Sequence, residues 1–417
     1  MMKSSTYETH TLSNGLRVIC LPADSPVVYC GYALAAGTRH ERSGEEGLAH
    51  FVEHTTFKGT QRRRASQISA GLERVGGDLN AFTQKETTTY YAALLKEHLP
   101  KAVDLLTDIV FHSTYPDDEL EREKEVVCDE IESYNDSPAE LIFDDFENLI
   151  FAGHPLGHSI LGTAESVRRF SPTDAQRFVG ERYRPENAVF FAYGDIRFSR
   201  LVRLLERQFE KYPLSSKNAN FIDKTPAIEV LSTAAGTTIT RERGTHQAHV
   251  MMGCHAYDVH HALRIPLYLL NNILGGPGMS SRLNVALRER RGLVYTVDSS
   301  MVCYGDAGMW AIYFGCDPSD VQRCLKQVRR ELERLMEKPL SEALLRAAKR
   351  QLKGQIGVGC DNHEQFALDF GRGFLHHSGE NSIETLCRKV DEVTAEQLLS
   401  VARELFDDRR LTTLIYK

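Results

Sequence analysis

The segment His50-Phe51-Val52-Glu53-His54 places two imidazoles four residues apart, with a carboxylate directly before the second. On a helix, residues i and i+4 share one face about 6 Å apart, so both rings reach one metal ion. This H-x-x-E-H order is the reverse of H-E-x-x-H. Both orders offer two histidine ligands and a glutamate close enough to act as a base. The chemistry such a set suits is zinc-assisted hydrolysis of a peptide bond.

These side chains need a helix to hold them. Ser43 is the expected cap, with Glu45 and Glu46 in the first turn and Gly59 as the stop, giving a helix of about three turns. Leu48, Phe51, Val52 and Thr55 then face a core while His50 and His54 point the other way. A catalytic zinc site also needs a third protein ligand and one open position. The acidic run Asp117–Glu132 has helical character, and residues seven apart in it lie two turns away on the same side. Spacing alone does not choose among its carboxylates.

Further motifs run along the chain: Gly77-Asp78-Leu79-Asn80-Ala81-Phe82-Thr83, His154-Pro155-Leu156-Gly157, Leu161-Gly162-Thr163 and Tyr183-Arg184-Pro185-Glu186-Asn187. With H-x-x-E-H, they resemble the pitrilysin (inverted zincin) family, which includes the mitochondrial processing peptidases and their short bacterial relatives. The resemblance spans essentially the whole chain.

It implies one Zn²⁺ per chain. The family's third ligand is a glutamate about 75 residues after the motif, and 75 residues separate His54 from Glu130. Glu123 matches an additional acidic residue that supports the site from behind the ligands. Glu53 is the implied base. Asn80 and Ala81 match substrate-contact positions, on a strand Asp78–Thr83 expected at an exposed sheet edge, where an extended peptide adds by main-chain hydrogen bonds. After the glycine-rich stretch Leu274-Gly275-Gly276-Pro277-Gly278, Arg288 and Tyr295 have the family's spacing of a substrate-facing pair. The arginine suits a substrate carbonyl, and the tyrosine hydroxyl suits the oxyanion of a tetrahedral intermediate.

Two halves are visible. Helical sequence ends near Lys211-Tyr212-Pro213, a polar linker covers 214–225, and strand-like patterning resumes after Pro226. Tyr90–Leu95 reads as a strand feeding an amphipathic helix through Ala102, Leu105, Leu106 and Ile109. Met309–Phe314, about 220 residues on, feeds a helix through Val321, Cys324, Leu325 and Val328. This order is that of a degenerate tandem duplication. The expected fold is α+β, with two homologous domains, each a mostly antiparallel sheet with one face covered by helices. Residues 1–213 carry the zinc motif; residues 226–417 lack it and carry Arg288 and Tyr295. His255, His260, His261, His376 and His377 have no carboxylate at ligand spacing and are expected in surface or core roles.

Composition agrees. A chain of 417 residues fits two cores, and 42% hydrophobic with 26% charged residues is an ordinary globular mixture. A formal charge of −7 offers no basic surface for nucleic acid, and no apolar stretch approaches the length of a membrane span. Met1–Glu8 has no apolar signal core, and nine cysteines without a C-x-x-C pair suggest reduced thiols; both favour a cytoplasmic protein. No nucleophile–base pair for a thiol or serine peptidase stands out. An intact ligand set argues against a non-catalytic subunit or scaffold. The implied partners are peptide substrates and a second copy of the chain, or a related subunit, because single-chain family members need four such domains.

Overall fold

Residues 7–214, 235–376 and 382–417 are described by the structure, a computed structural model. The expected linker therefore lies, apart from Leu214, outside the described residues, as does His377. The chain divides into two compact units.

The first unit draws on Met1–Ile131, His158–Pro226 and Gly359–Asn381. Its six strands are β1 (Glu8–Thr11), β2 (Arg17–Pro22), β3 (Val27–Leu34), β4 (Asp78–Thr83), β5 (Thr88–Leu95) and β6 (Ala188–Gly194). They form one sheet in the order β1-β2-β6-β3-β5-β4. Only β2 and β6 run parallel; the other pairs are antiparallel. Against one face pack α1 (Leu48–Thr56), α2 (Ala65–Glu73) and α3 (Leu99–His112), around a core that includes Leu48, Phe51, Val52, Leu106, Ile109 and Phe190. Next in the chain come α4 (Asp117–Asn135) and α5 (Pro138–Ile150). Helix α5 opens on Pro138, a position where the N–H that proline lacks would have no partner within the helix.

The second unit draws on Glu132–Gly157, Ala227–Val358 and Ser382–Lys417. Its strands β7 (Thr238–Arg241), β8 (Ala248–Ala256), β9 (Val294–Cys303), β10 (Gly308–Cys316) and β11 (Thr412–Tyr416) are ordered β7-β11-β8-β10-β9. The pair β7 and β11 is parallel and the rest are antiparallel. Strand for strand, this repeats the order β2-β6-β3-β5-β4 with the same senses. In the first sheet the last strand of the half, β6, inserts between β2 and β3; in the second, β11 inserts between β7 and β8. The duplication expected from element order is thus present in the topology, and β9 is the counterpart of β4.

The sheets are covered on both faces. Strand β6, Ala-Val-Phe-Phe-Ala-Tyr-Gly, is buried at every position, as is β10. Such continuous apolar runs need a second cover, because alternation would suffice for a sheet wet on one side. The cover is exchanged between halves. Helix His363–His376, late in the chain, lays Ala367, Leu368 and Phe370 on Ile19, Val189 and Phe191 of the first sheet. Helix α5, from the first half, lays Leu141, Ile142 and Phe146 on Met251 and Leu414 of the second. The expectation of one covered face is therefore extended by one exchanged helix per sheet.

Candidate metal centre

Helix α1 starts later than its sequence suggests. Its first residue is Leu48 and its N-cap is Gly47, at φ +95°, so Ser43 is not the cap and Glu45 and Glu46 precede the helix. Gly47 is required twice over: the left-handed backbone favours glycine, and a Cβ there would meet Leu161 O at 2.6 Å. The capping acceptor is Glu41. Its carboxylate accepts from Gly47 N at 3.0 Å and Ala49 N at 2.7 Å, a role worth about 0.5–2 kcal/mol at helix starts. His158 Nε2 lies 2.9 Å from the same group. Burial pushes the Glu41 pKa up against these favourable contacts.

The far side of α1 behaves as expected. Leu48, Phe51, Val52 and Thr55 are fully buried, and the Thr55 and Thr56 hydroxyls donate back to Phe51 O and Val52 O. Behind them, Tyr90, Tyr115 and Tyr183 form a buried hydroxyl cluster on Thr56. This anchoring fixes the direction in which His50 and His54 project.

The two imidazoles are edge-to-face, with ring centroids 4.6 Å apart. Helix α4 brings Glu130 to both: its Oε2 lies 3.8 Å from His50 Nε2 and 3.4 Å from His54 Nε2. Tetrahedral zinc with bonds of about 2.0–2.2 Å sets its ligand atoms about 3.3–3.6 Å apart. The ligand atoms of His50, His54 and Glu130 all lie within 4.8 Å of one another, and among the described residues no other such three-ligand group occurs. The donor set, two imidazoles and one carboxylate, is one that suits zinc. His255, His260, His261 and His376 join no such group.

Two turns before Glu130, Glu123 is buried with its Oε1 3.0 Å from His54 Nδ1 and its Oε2 2.5 Å from Lys58 Nζ. The carboxylate thereby accepts from one ring nitrogen of His54 and leaves Nε2 for a metal, the usual way an outer carboxylate orients a ligand. His50 has no equivalent: its Nδ1 is buried without a protein partner among the described residues.

The electrostatics separate the two histidines. Burial, with the neighbouring His54 charge, pushes His50 down to about 4, so it is neutral at pH 7 and ready to ligate. Burial acts to lower His54 as well, but hydrogen bonds to Glu123 and Glu130 outweigh it and hold His54 at about 9. The hydrogen bond to His54 holds Glu130 below its ordinary value. Glu123 is also low: burial opposes this, and its bonds to His54 and Lys58 prevail.

Glu53 is buried, and its Oε2 accepts from Thr83 Oγ1 at 2.6 Å. Burial pushes its pKa up, with Thr83 and His54 acting in the opposite direction. None of the sequence motifs singles out Thr83 for a role. The signal for it is the period of two along β4, which puts Leu79, Ala81 and Thr83 on one face. Asn80 and Ala81 lie inside β4 rather than in a turn, and β4 is the edge of its sheet. Ala81 N donates to Asn80 Oδ1 at 2.8 Å.

Arg288 and Tyr295 belong to the other unit. Arg288 sits in the helical turn Asn284–Glu289 with half of its side chain exposed. The chain then reverses at Gly292, φ +58°, into β9, where Tyr295 is 64% exposed. Exposure of this kind leaves both side chains open to a ligand.

Comparison with known proteins bears on this arrangement. Residues 18–164 match the family model described as insulinase (peptidase family M16), and 169–352 match that of the peptidase M16 inactive domain. An uncharacterized zinc protease of Bacillus subtilis is 32% identical over 409 residues, covering 97% of each chain. One from Mycobacterium tuberculosis is 34% identical over 411 residues, covering 96% of this chain and 90% of the relative. A protease of Helicobacter pylori has the same fold, with a TM-score of 0.91 at 23% identity over 99% of both chains.

Proposed function

The chain belongs to peptidase family M16, and from that premise we propose that it is a zinc-dependent endopeptidase acting on extended, unfolded peptides. The observation that carries this reading is the convergence of His50 Nε2, His54 Nε2 and Glu130 Oε2, with the Glu53 carboxylate one residue from His54. His50, His54 and Glu130 would hold the ion. A zinc ion bound there supplies Lewis-acid polarisation of the scissile carbonyl and a water of lowered pKa.

The chain's own groups do the rest. Glu53 takes one proton from the attacking water as the water oxygen bonds to the carbonyl carbon. It returns that proton to the nitrogen of the leaving amine as the C–N bond breaks. A raised Glu53 pKa suits this shuttle, since a base poised nearer neutrality also gives the proton back. Glu123 keeps the His54 ring in register. The peptide lies along the open edge of β4, paired through main-chain groups near Asn80 and Ala81, and so needs an extended backbone.

Arg288 and Tyr295 complete the site in this reading, contributed by a second copy of the chain in a homodimer that encloses the substrate. Arg288 holds a substrate carbonyl and Tyr295 donates to the oxyanion. Purified protein incubated with a library of unstructured peptides, and separately with stable folded proteins, tests the proposal. Zinc-dependent cleavage of the peptides, abolished by Glu53→Gln, is the expected result. Efficient cutting of folded proteins with the peptides left intact contradicts it.

A further inference from the structure

Glu53 is buried, yet its carboxylate has one hydrogen-bond partner among the described residues, the hydroxyl of Thr83. That hydroxyl is itself closely placed. Thr83 ends β4, pairs with Thr88 across the ladder, and lies on the face where Leu79 and Ala81 pack into the core against α1. The two threonine oxygens are 3.2 Å apart, and Thr88 Oγ1 donates to Ala36 O at 2.6 Å. A hydroxyl carries one proton. With the Thr88 proton given to Ala36, the Thr83 proton goes to Glu53 Oε2.

From this geometry we infer that Thr83 is a positioning residue for the base. Its hydroxyl engages one carboxylate oxygen of Glu53 and sets the plane of the group, which leaves Oε1 to face the attacking water. The same residue closes the edge strand that receives the peptide in the proposed reading. Strand and base are thus tied by one 2.6 Å contact, and a peptide seated on β4 is registered against the group that activates its water. The inference rests on the peptidase reading and adds to it a residue that acts through Glu53 without touching substrate.

Thr83→Val keeps the β-branched shape and removes the donor; Thr83→Ser keeps the donor and removes a methyl. With the peptide library as substrate, Thr83→Val should lower kcat about tenfold to hundredfold, the scale of a misplaced catalytic group. KM and zinc taken up by the metal-free protein should stay at wild-type values. Thr83→Ser should restore most of kcat. A wild-type kcat in Thr83→Val overturns the inference, as does a serine variant no better than valine. Loss of zinc uptake alongside activity also overturns it, by assigning Thr83 to the fabric of the metal site. Glu53→Gln is run in parallel: should it cleave as well as wild type, the peptidase reading itself fails, whatever Thr83 does.

Discussion

His54 Nδ1 lies 3.0 Å from Glu123 Oε1, which leaves the opposite ring nitrogen, Nε2, facing Glu130. In the proposed reading one helix, α4, supplies both a metal ligand and the carboxylate that orients a second ligand, from positions two turns apart. Glu123→Gln should weaken zinc binding by about tenfold to hundredfold while leaving the three ligands in place. Titration of the metal-free variant with zinc measures this. Affinity equal to wild type would remove Glu123 from the site.

The proton on His54 predicts a pH dependence. In the metal-free protein this histidine is held at about 9, above its ordinary value of about 6.5, by Glu123 and Glu130 against the effect of burial. A histidine raised on folding contributes stability that is full below the unfolded pKa and lost as pH rises through the folded one. The metal-free protein should therefore lose thermal stability between about pH 6.5 and about pH 9, and His54→Gln should flatten that limb. Zinc must displace the same proton, so its apparent affinity should rise over the same window. An identical limb in the variant contradicts the assignment.

The cysteines should be bystanders. Burial pushes the Cys20, Cys30 and Cys254 thiols up to about 12, so they are protonated and inert at neutral pH. Iodoacetamide on the native protein should leave peptide turnover unchanged, whereas a chelator should abolish it and added zinc restore it. Inactivation by alkylation, with no effect of the chelator, points instead to a thiol peptidase.

A homodimer with shared sites predicts complementation. Glu53→Gln and Tyr295→Phe should each be nearly inactive. In a mixed dimer one site carries both defects and the other carries neither. Equal mixing with subunit exchange should then recover about a quarter of wild-type turnover, since half the dimers are mixed and each has one good site of two. No recovery despite demonstrated exchange argues for a site completed within one chain.

The two histidines and the duplication are legible in the sequence because both are written in spacing. H-x-x-E-H fixes two imidazoles on one helix face, and the order of elements repeats with the same strand topology. Glu130 needs the family pattern, since its acidic neighbours on α4 have the same local spacing. The cap of α1 differs from the expected Ser43 because Glu41 reaches the helix from outside the window that local rules inspect, while Gly47 turns the chain between them. The exchanged helices escape a sequence reading for a related reason. Their apolar faces have ordinary periodicity, and nothing local says which sheet they cover. The continuous apolar runs of β6 and β10 are a sign that both faces need one.

The most direct test of the central claim is zinc content per chain, measured with turnover, in four proteins: wild type, His50→Ala, Glu130→Gln and Glu53→Gln. The wild type should bind one zinc and cleave unstructured peptides. The two ligand variants should lose most of the metal and all of the turnover. Glu53→Gln should keep one zinc and still be inactive, which separates the base from the ligands. Full zinc occupancy in His50→Ala, or wild-type turnover in Glu53→Gln, would contradict the account.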